Sequence, residues 1–77
     1  MTHEFEAVLA SVQNQFNVTR EELLCPSRGS ASIAEIRQQA MYQCWLKERN
    51  FTAVGNFFVR DRTTVRHAVR KIESAAQ

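Results

Sequence analysis

The sequence predicts an all-α fold, a compact bundle of about five helices that contains a helix-turn-helix. Three observations carry that prediction. Apolar residues recur at intervals of three and four along five segments, the period of a helix with one buried face. No segment alternates apolar and polar residues as a half-buried strand does. Gly and Pro together occupy three of 77 positions, and Pro26-Ser27-Arg28-Gly29-Ser30 is the single clear loop.

The first helix shows Phe5, Val8, Leu9, Val12 and Phe16 along one stripe and ends near Asn17-Val18. Thr19 and Glu22 have the capping-box spacing and open a short second helix, whose Leu23 and Leu24 point inward. Pro26 stops it, because proline disfavours helical geometry in the residue before it. Ser32 and Glu35 repeat the capping box and open the longest helix, roughly Ile33 to Arg49. Its expected inward stripe is Ile33, Ile36, Ala40 and Cys44. Met41, Tyr42, Trp45 and Leu46 add apolar surface on other sides, which fits either a central helix with several neighbours or a patch used for association. The central position is the expectation. Thr52 or Asn50 caps a fourth helix through Phe58, which packs Val54, Phe57 and Phe58. Asp61 caps a fifth, with Val65, Ala68, Val69 and Ile72 inward and Arg62, Arg66, Arg70 and Lys71 off that stripe.

Residues 1–77 read as one domain, since a chain this short holds one small core. That size leaves no room for a substrate pocket backed by a second layer, and no nucleophile–base or paired-carboxylate set stands out, so an enzyme is not expected. Cys25 and Cys44 lie far apart without a CxxC, and with His3 and His67 they make no zinc spacing. The expectation is two reduced, mostly buried thiols and no metal or cofactor. No apolar run approaches a membrane span, and the acidic Met1–Glu6 start lacks a signal-peptide layout. A cytoplasmic protein is expected, and the Met start suggests an independent short product, with an excised domain as the alternative.

The net charge of +2 is unevenly placed. Residues 1–36 set Arg20 and Arg28 against Glu4, Glu6, Glu21, Glu22 and Glu35, a balance of −3. Residues 37–77 set eight Lys or Arg against Glu48, Asp61 and Glu73, a balance of +5. A basic second half points to an anionic partner. The last two helices are joined only by Val59-Arg60-Asp61, which makes a short apolar helix, a tight turn and a longer basic helix. In such a unit the first helix holds the second at a fixed angle, and the second enters the major groove N-terminus first. Arg62 there is suited to guanine, the methyls of Thr63 and Thr64 to thymine, and Asp61 to cytosine N4. Flanking cations such as Arg66 are suited to phosphates. A helical hairpin with a solvated basic face has the same spacing, so the spacing alone does not decide.

From about Phe5 to Ile72 the chain resembles the C-terminal DNA-binding domain of the bacterial replication initiator DnaA. Three stretches carry the resemblance: Phe16-Asn17-Val18 through Glu22-Leu23-Leu24 with the basic loop after it, Ile36 to Tyr42, and Val54 to Ile72. The most specific is Arg60-Asp61-Arg62-Thr63-Thr64-Val65-Arg66-His67-Ala68. The resemblance implies that Asp61, Thr63 and Thr64 read bases and that Arg60 and His67 flank them as backbone or positioning contacts. It implies that Arg37 and Gln38, at the start of the central helix, clamp phosphates with help from the helix dipole. It makes Arg28 the basic loop residue for the minor groove. It also implies double-stranded DNA as the partner and asymmetric sites read by a monomer, while Trp45 offers a homodimer or protein contact on the central helix.

Three departures stand out. Arg62 occupies a position that is usually His in the family, and Arg prefers guanine, so a shifted or relaxed target site is expected. Gln43, Cys44, Trp45 and Lys47 replace leucines of the central helix, and Lys47–Asn50 is one residue short. No G-x-x-x-x-G-K-[ST] loop is present, so ATP binding by that route is not expected. The resulting expectation is a DNA-binding regulator of transcription or replication. Its rival is an interaction module of the same fold, acting through Met41, Tyr42, Trp45 and Leu46 without DNA.

Overall fold

The computed structural model describes residues 2–24 and 31–75, which form five helices and no strand among the described residues. In order these are α1 (Thr2–Phe16), α2 (Arg20–Leu24), α3 (Ala31–Glu48), α4 (Phe51–Phe58) and α5 (Arg62–Ala75). Residues 25–30, which hold Cys25, Arg28 and the loop expected from the sequence, lie outside the described residues.

In α1, Phe5, Val8, Leu9 and Val12 are buried as their spacing predicts, but Phe16 emerges to the surface. Asn17 stops the helix in the left-handed conformation at φ 56°, and the Val18 N–H returns to the Gln13 carbonyl at 3.2 Å. That six-residue return is a Schellman stop, with Asn in the place where Gly is commoner. The capping box forms at α2 as predicted. The Glu22 N–H donates to Thr19 Oγ1 at 3.1 Å, and the Thr19 N–H donates to Glu22 Oε1 at 2.9 Å. Arg20 pairs with both carboxylate oxygens of Glu6, which ties α2 back to α1. The Arg20 hydrogen bond holds the Glu6 carboxyl below its ordinary value.

The central helix starts earlier than its sequence signal. With α3 beginning at Ala31, Ser32 stands inside the first turn and cannot be its cap. The inward face is also turned. Ile33 and Ile36 are only half-buried, and the face is centred on Arg37, Ala40, Met41 and Cys44, spaced i, i+3, i+4 and i+7. Pattern reading has no reason to put a cation at a core position, so it chose the isoleucines instead. The central placement itself is correct: α3 packs against each of the other four helices. Met41 is 1% exposed and leaves the rival's association surface, on which Leu46 is exposed and Tyr42 and Trp45 are half-buried. Burial pushes the Cys44 thiol up to about 12, the behaviour of a packing residue and not of a nucleophile.

Asn50, not Thr52, caps α4: its Oδ1 accepts from the Ala53 N–H at 3.1 Å. Val54, Gly55 and Phe58 are buried on one side of α4 and meet Val65, Ala68 and Val69 of α5. The turn between them is a second Schellman stop. The Val59 N–H donates to Asn56 O at 3.3 Å and the Arg60 N–H to Gly55 O at 2.8 Å. Val59 takes the left-handed position at φ 56°, ψ 48°, where a β-branched side chain is strained. The Asp61 carbonyl then receives the Thr64 N–H at 3.0 Å, which puts Asp61 at the N-cap position of α5.

Gly55 sets the approach of the two helices. A Cβ there would lie 2.8 Å from the Arg60 carbonyl oxygen and 3.3 Å from the Arg62 nitrogen, both backbone atoms that cannot swing aside. Gly55→Ala is expected to destabilise the fold by about 1–3 kcal/mol through overpacking. Val59→Gly is expected to stabilise it by about 1 kcal/mol, because left-handed strain of roughly 1–3 kcal/mol exceeds glycine's entropic cost of roughly 0.5–1 kcal/mol. Urea unfolding checks both, read as opposite shifts of midpoint at constant slope.

Candidate nucleic-acid interface

Helix α5 is amphipathic, with Val65, Ala68 and Val69 buried and Arg62, Thr63, Thr64, Arg66, His67, Arg70 and Lys71 exposed. The buried stripe fixes which way the exposed residues point, so the basic face is a consequence of core packing. It stands as a ridge between two grooves.

On the α3 side, Thr64, His67 and Lys71 border a groove of about 250 Å³ whose other wall includes Gln38, Arg37 and Arg60. On the side of the α3–α4 corner, Arg62, Thr63 and Arg66 border a groove of about 490 Å³ with Arg49, Asn50 and Thr52 opposite. Helical geometry explains the division. Positions 64, 67 and 71 share one side of α5, and 62, 63 and 66 share the other. Among the described residues neither groove has an Asp or Glu in its lining, while Arg37, Arg60 and Lys71 line the first and Arg49, Arg62 and Arg66 the second, which favours an anion over an open surface.

The structure thus brings together Gln38, Arg60, Asp61, Arg62, Thr63, Thr64, Arg66 and His67 around the start of α5. Arg60 is half-buried, and its Nη1 donates to the Phe58 carbonyl at 3.4 Å, which holds the side chain against the turn. Arg28 is outside the described residues, and nothing places it against this surface.

Arg37 requires a correction. It was expected to clamp a phosphate from the start of the central helix. It lies six residues into α3 instead, beyond the first turn in which amides and dipole favour an anion. Its side chain is 9% exposed. Nε donates to the Leu23 carbonyl at 2.9 Å and Nη2 to the Glu22 carbonyl at 2.8 Å. These are last-turn carbonyls of α2, which lack partners within their own helix. Arg37 therefore fastens α2 to α3, and its charge reaches the interface only through the floor of the groove.

Arg49 is the residue that sequence reading missed. It lies 13 positions before Arg62 along the chain, and its membership of the groove follows only from the fold of α4 back onto α5. The available signal was slight: a cation immediately before the helix cap Asn50.

Arg37→Ala is expected to lower stability by about 2–4 kcal/mol, since one buried and one part-buried hydrogen bond from a charged donor are lost and the carbonyls stay behind. Arg37→Lys should recover little of this, because an ammonium cannot span both carbonyls as the planar fork does. Thermal unfolding followed by circular dichroism reads both.

The family described as "Bacterial dnaA protein helix-turn-helix" matches residues 5–72. The chain is 44% identical over 73 residues to the chromosomal replication initiator protein DnaA of Bradyrhizobium sp. (strain BTAi1) and to that of Nitrobacter hamburgensis. Each of these matches covers 92% of this chain and 15% of the relative. The DnaA protein of Rhodopseudomonas palustris (strain TIE-1) is 44% identical over 72 residues, 91% of this chain and 15% of its own. The chain therefore spans about 15% of the length of the curated relatives it matches. No solved structure matches the chain.

Proposed function

Because the chain belongs to the bacterial DnaA helix-turn-helix family, whose C-terminal domain is a DNA-binding domain, we propose that it is a sequence-specific double-stranded DNA-binding regulator. It reads a DnaA-box-like site with the first turns of α5. The observation that supports this most is the ridge: Asp61 to Thr64, Arg66 and His67 are exposed between two grooves without acidic residues, on a helix fixed from behind by Val65, Ala68 and Val69.

A helix presented this way fits the major groove, and the two side grooves lie where the flanking strands pass. Asp61, Thr63 and Thr64 read base edges, and Arg62 takes guanine where the family pattern has His, which shifts or relaxes the preferred site. Arg60, Arg66, His67 and Gln38 serve backbone contact and positioning. Arg28 supplies the minor-groove contact from the loop. Residues 1–77 act as one DNA-binding domain without catalytic activity, in the cytoplasm on the nucleoid. Regulation follows from occupancy, either of promoter sites or of initiator boxes in competition with longer relatives.

The rival is association through the central helix, with a second copy or another protein. Its surface is reduced to Leu46 with the half-buried Tyr42 and Trp45. A single exposed leucine is ordinary on a soluble domain, so the DNA reading is the better supported.

With roughly four to six phosphate contacts, log K should fall against log salt with a slope near −4 to −5. Arg62→Ala and Thr64→Ala should each cost about 1–3 kcal/mol on the preferred duplex and little on random sequence. Selection of bound duplexes from a random pool, followed by fluorescence anisotropy on the winner, tests this. An asymmetric site read by a monomer is the expected result. A palindrome would indicate a dimer. Equal losses on preferred and random duplexes would remove Arg62 from base reading, and no salt-sensitive binding at all would overturn the proposal.

A further inference from the structure

The groove beside the α3–α4 corner contains a cation from outside the helix-turn-helix. Arg49 sits at φ 56°, just after α3 ends, and its guanidinium carbon lies 4.5 Å from the centre of the Trp45 ring. Trp45 is itself held in an aromatic stack. Phe51 lies 5.6 Å from it at 8° from parallel, and Tyr42 lies 6.3 Å away at 27°.

A guanidinium held over an indole face meets the ring through its cationic centre. Its N–H edge remains in the plane, and that edge is what grips two phosphate oxygens at once. The stack also restricts the side chain before any ligand arrives, which lowers the ordering cost of binding. Arg49 shares its groove with Arg62, Arg66, Asn50, Thr52 and Thr63. Three guanidinium groups around one open groove, with no carboxylate among its described lining residues, call for a polyanion. Arg62 and Thr63 belong also to the base-reading ridge, so a strand that borders the ridge passes over Arg49.

We propose that Arg49, presented by Trp45, binds a backbone phosphate of the DNA strand that runs past the α3–α4 corner, and that Trp45 is a positioning residue for this contact. This rests on the DNA-binding reading of α5. It also gives the aromatic surplus of the central helix a role at the DNA, in place of the protein-docking role it otherwise invites.

The test uses the whole chain and exploits Trp45 as its single tryptophan. Glycine is at ease at positive φ, so Arg49→Gly removes the cation while favouring the fold. Loss of one phosphate contact should flatten the log K against log salt slope by about 0.9 and weaken binding about fivefold near 0.15 M salt, on preferred and random duplexes alike. Arg49→Lys should hold the slope. Trp45→Phe keeps a ring under the cation and should stay near the unaltered chain, whereas Trp45→Leu should move toward Arg49→Gly. Trp45 emission should change on addition of duplex, and that change should vanish in Arg49→Gly. An unaltered chain that binds duplex, beside an Arg49→Gly variant with the same slope and the same emission change, would overturn the Arg49 contact alone. Emission that responds to inorganic phosphate but not to duplex would overturn the strand as occupant. Failure of the unaltered chain to bind any duplex at low salt would bring down the DNA reading and this contact together.

Discussion

The approach of α4 to α5 at Gly55 is the constraint on which the interface depends. The backbone of Arg60 to Arg62 passes so close that only a residue without Cβ fits beneath it. The same three-residue turn closes two Schellman hydrogen bonds and puts Val59 in a left-handed conformation. Short connection, close contact and strained valine together leave α5 one orientation. Its apolar stripe then goes inward against Val54 and Phe58, and the arginines and threonines have no place but the outside. The ridge and both grooves follow from that one helix–helix approach.

Charge has two separate uses in so small a chain. Arg37 serves the structure: it is buried, and its fork satisfies the end of the five-residue α2. A helix that short has too few internal hydrogen bonds to persist alone, so its capping box, the Glu6–Arg20 pair and Arg37 hold it in place. The cations around α5 are exposed instead, and the long-range attraction of a polyanion falls to them. A total of +2 conceals this division.

The apolar residues of the central helix divide in a similar way. Cys44 and Met41 fill the core, while Trp45, with Tyr42 and Phe51, builds a ledge at the end of α3 that receives Arg49. Packing on one face of α3 and presentation on another arise from a helix whose apolar residues spread around its circumference. Periodicity alone describes such a helix as crowded without saying what the crowding serves.

The sequence by itself determined the all-α class, the number and order of the helices, the capping box at Thr19 and the helix-turn-helix from Val54 to Ile72. Those features are local: helical period, cap chemistry and turn length act over a few residues, so a linear reading contains them. The base-reading candidates from Asp61 to Thr64 were legible for the same reason, since they follow directly after a turn. The rotation of α3 was not legible, because it depends on Arg37 finding two carbonyls 14 and 15 positions away. Nor was the start of α3 at Ala31, or the choice of Asn50 over Thr52 as cap, since several polar residues in a row offer equivalent caps until neighbouring helices fix the register. Only the tertiary fold puts Arg37 in the core and Arg49 on an exposed groove beside α5. Arg37 lies within α3 and Arg49 directly after it, and only the three-dimensional arrangement of carbonyls and aromatic rings tells a buried guanidinium from an exposed one.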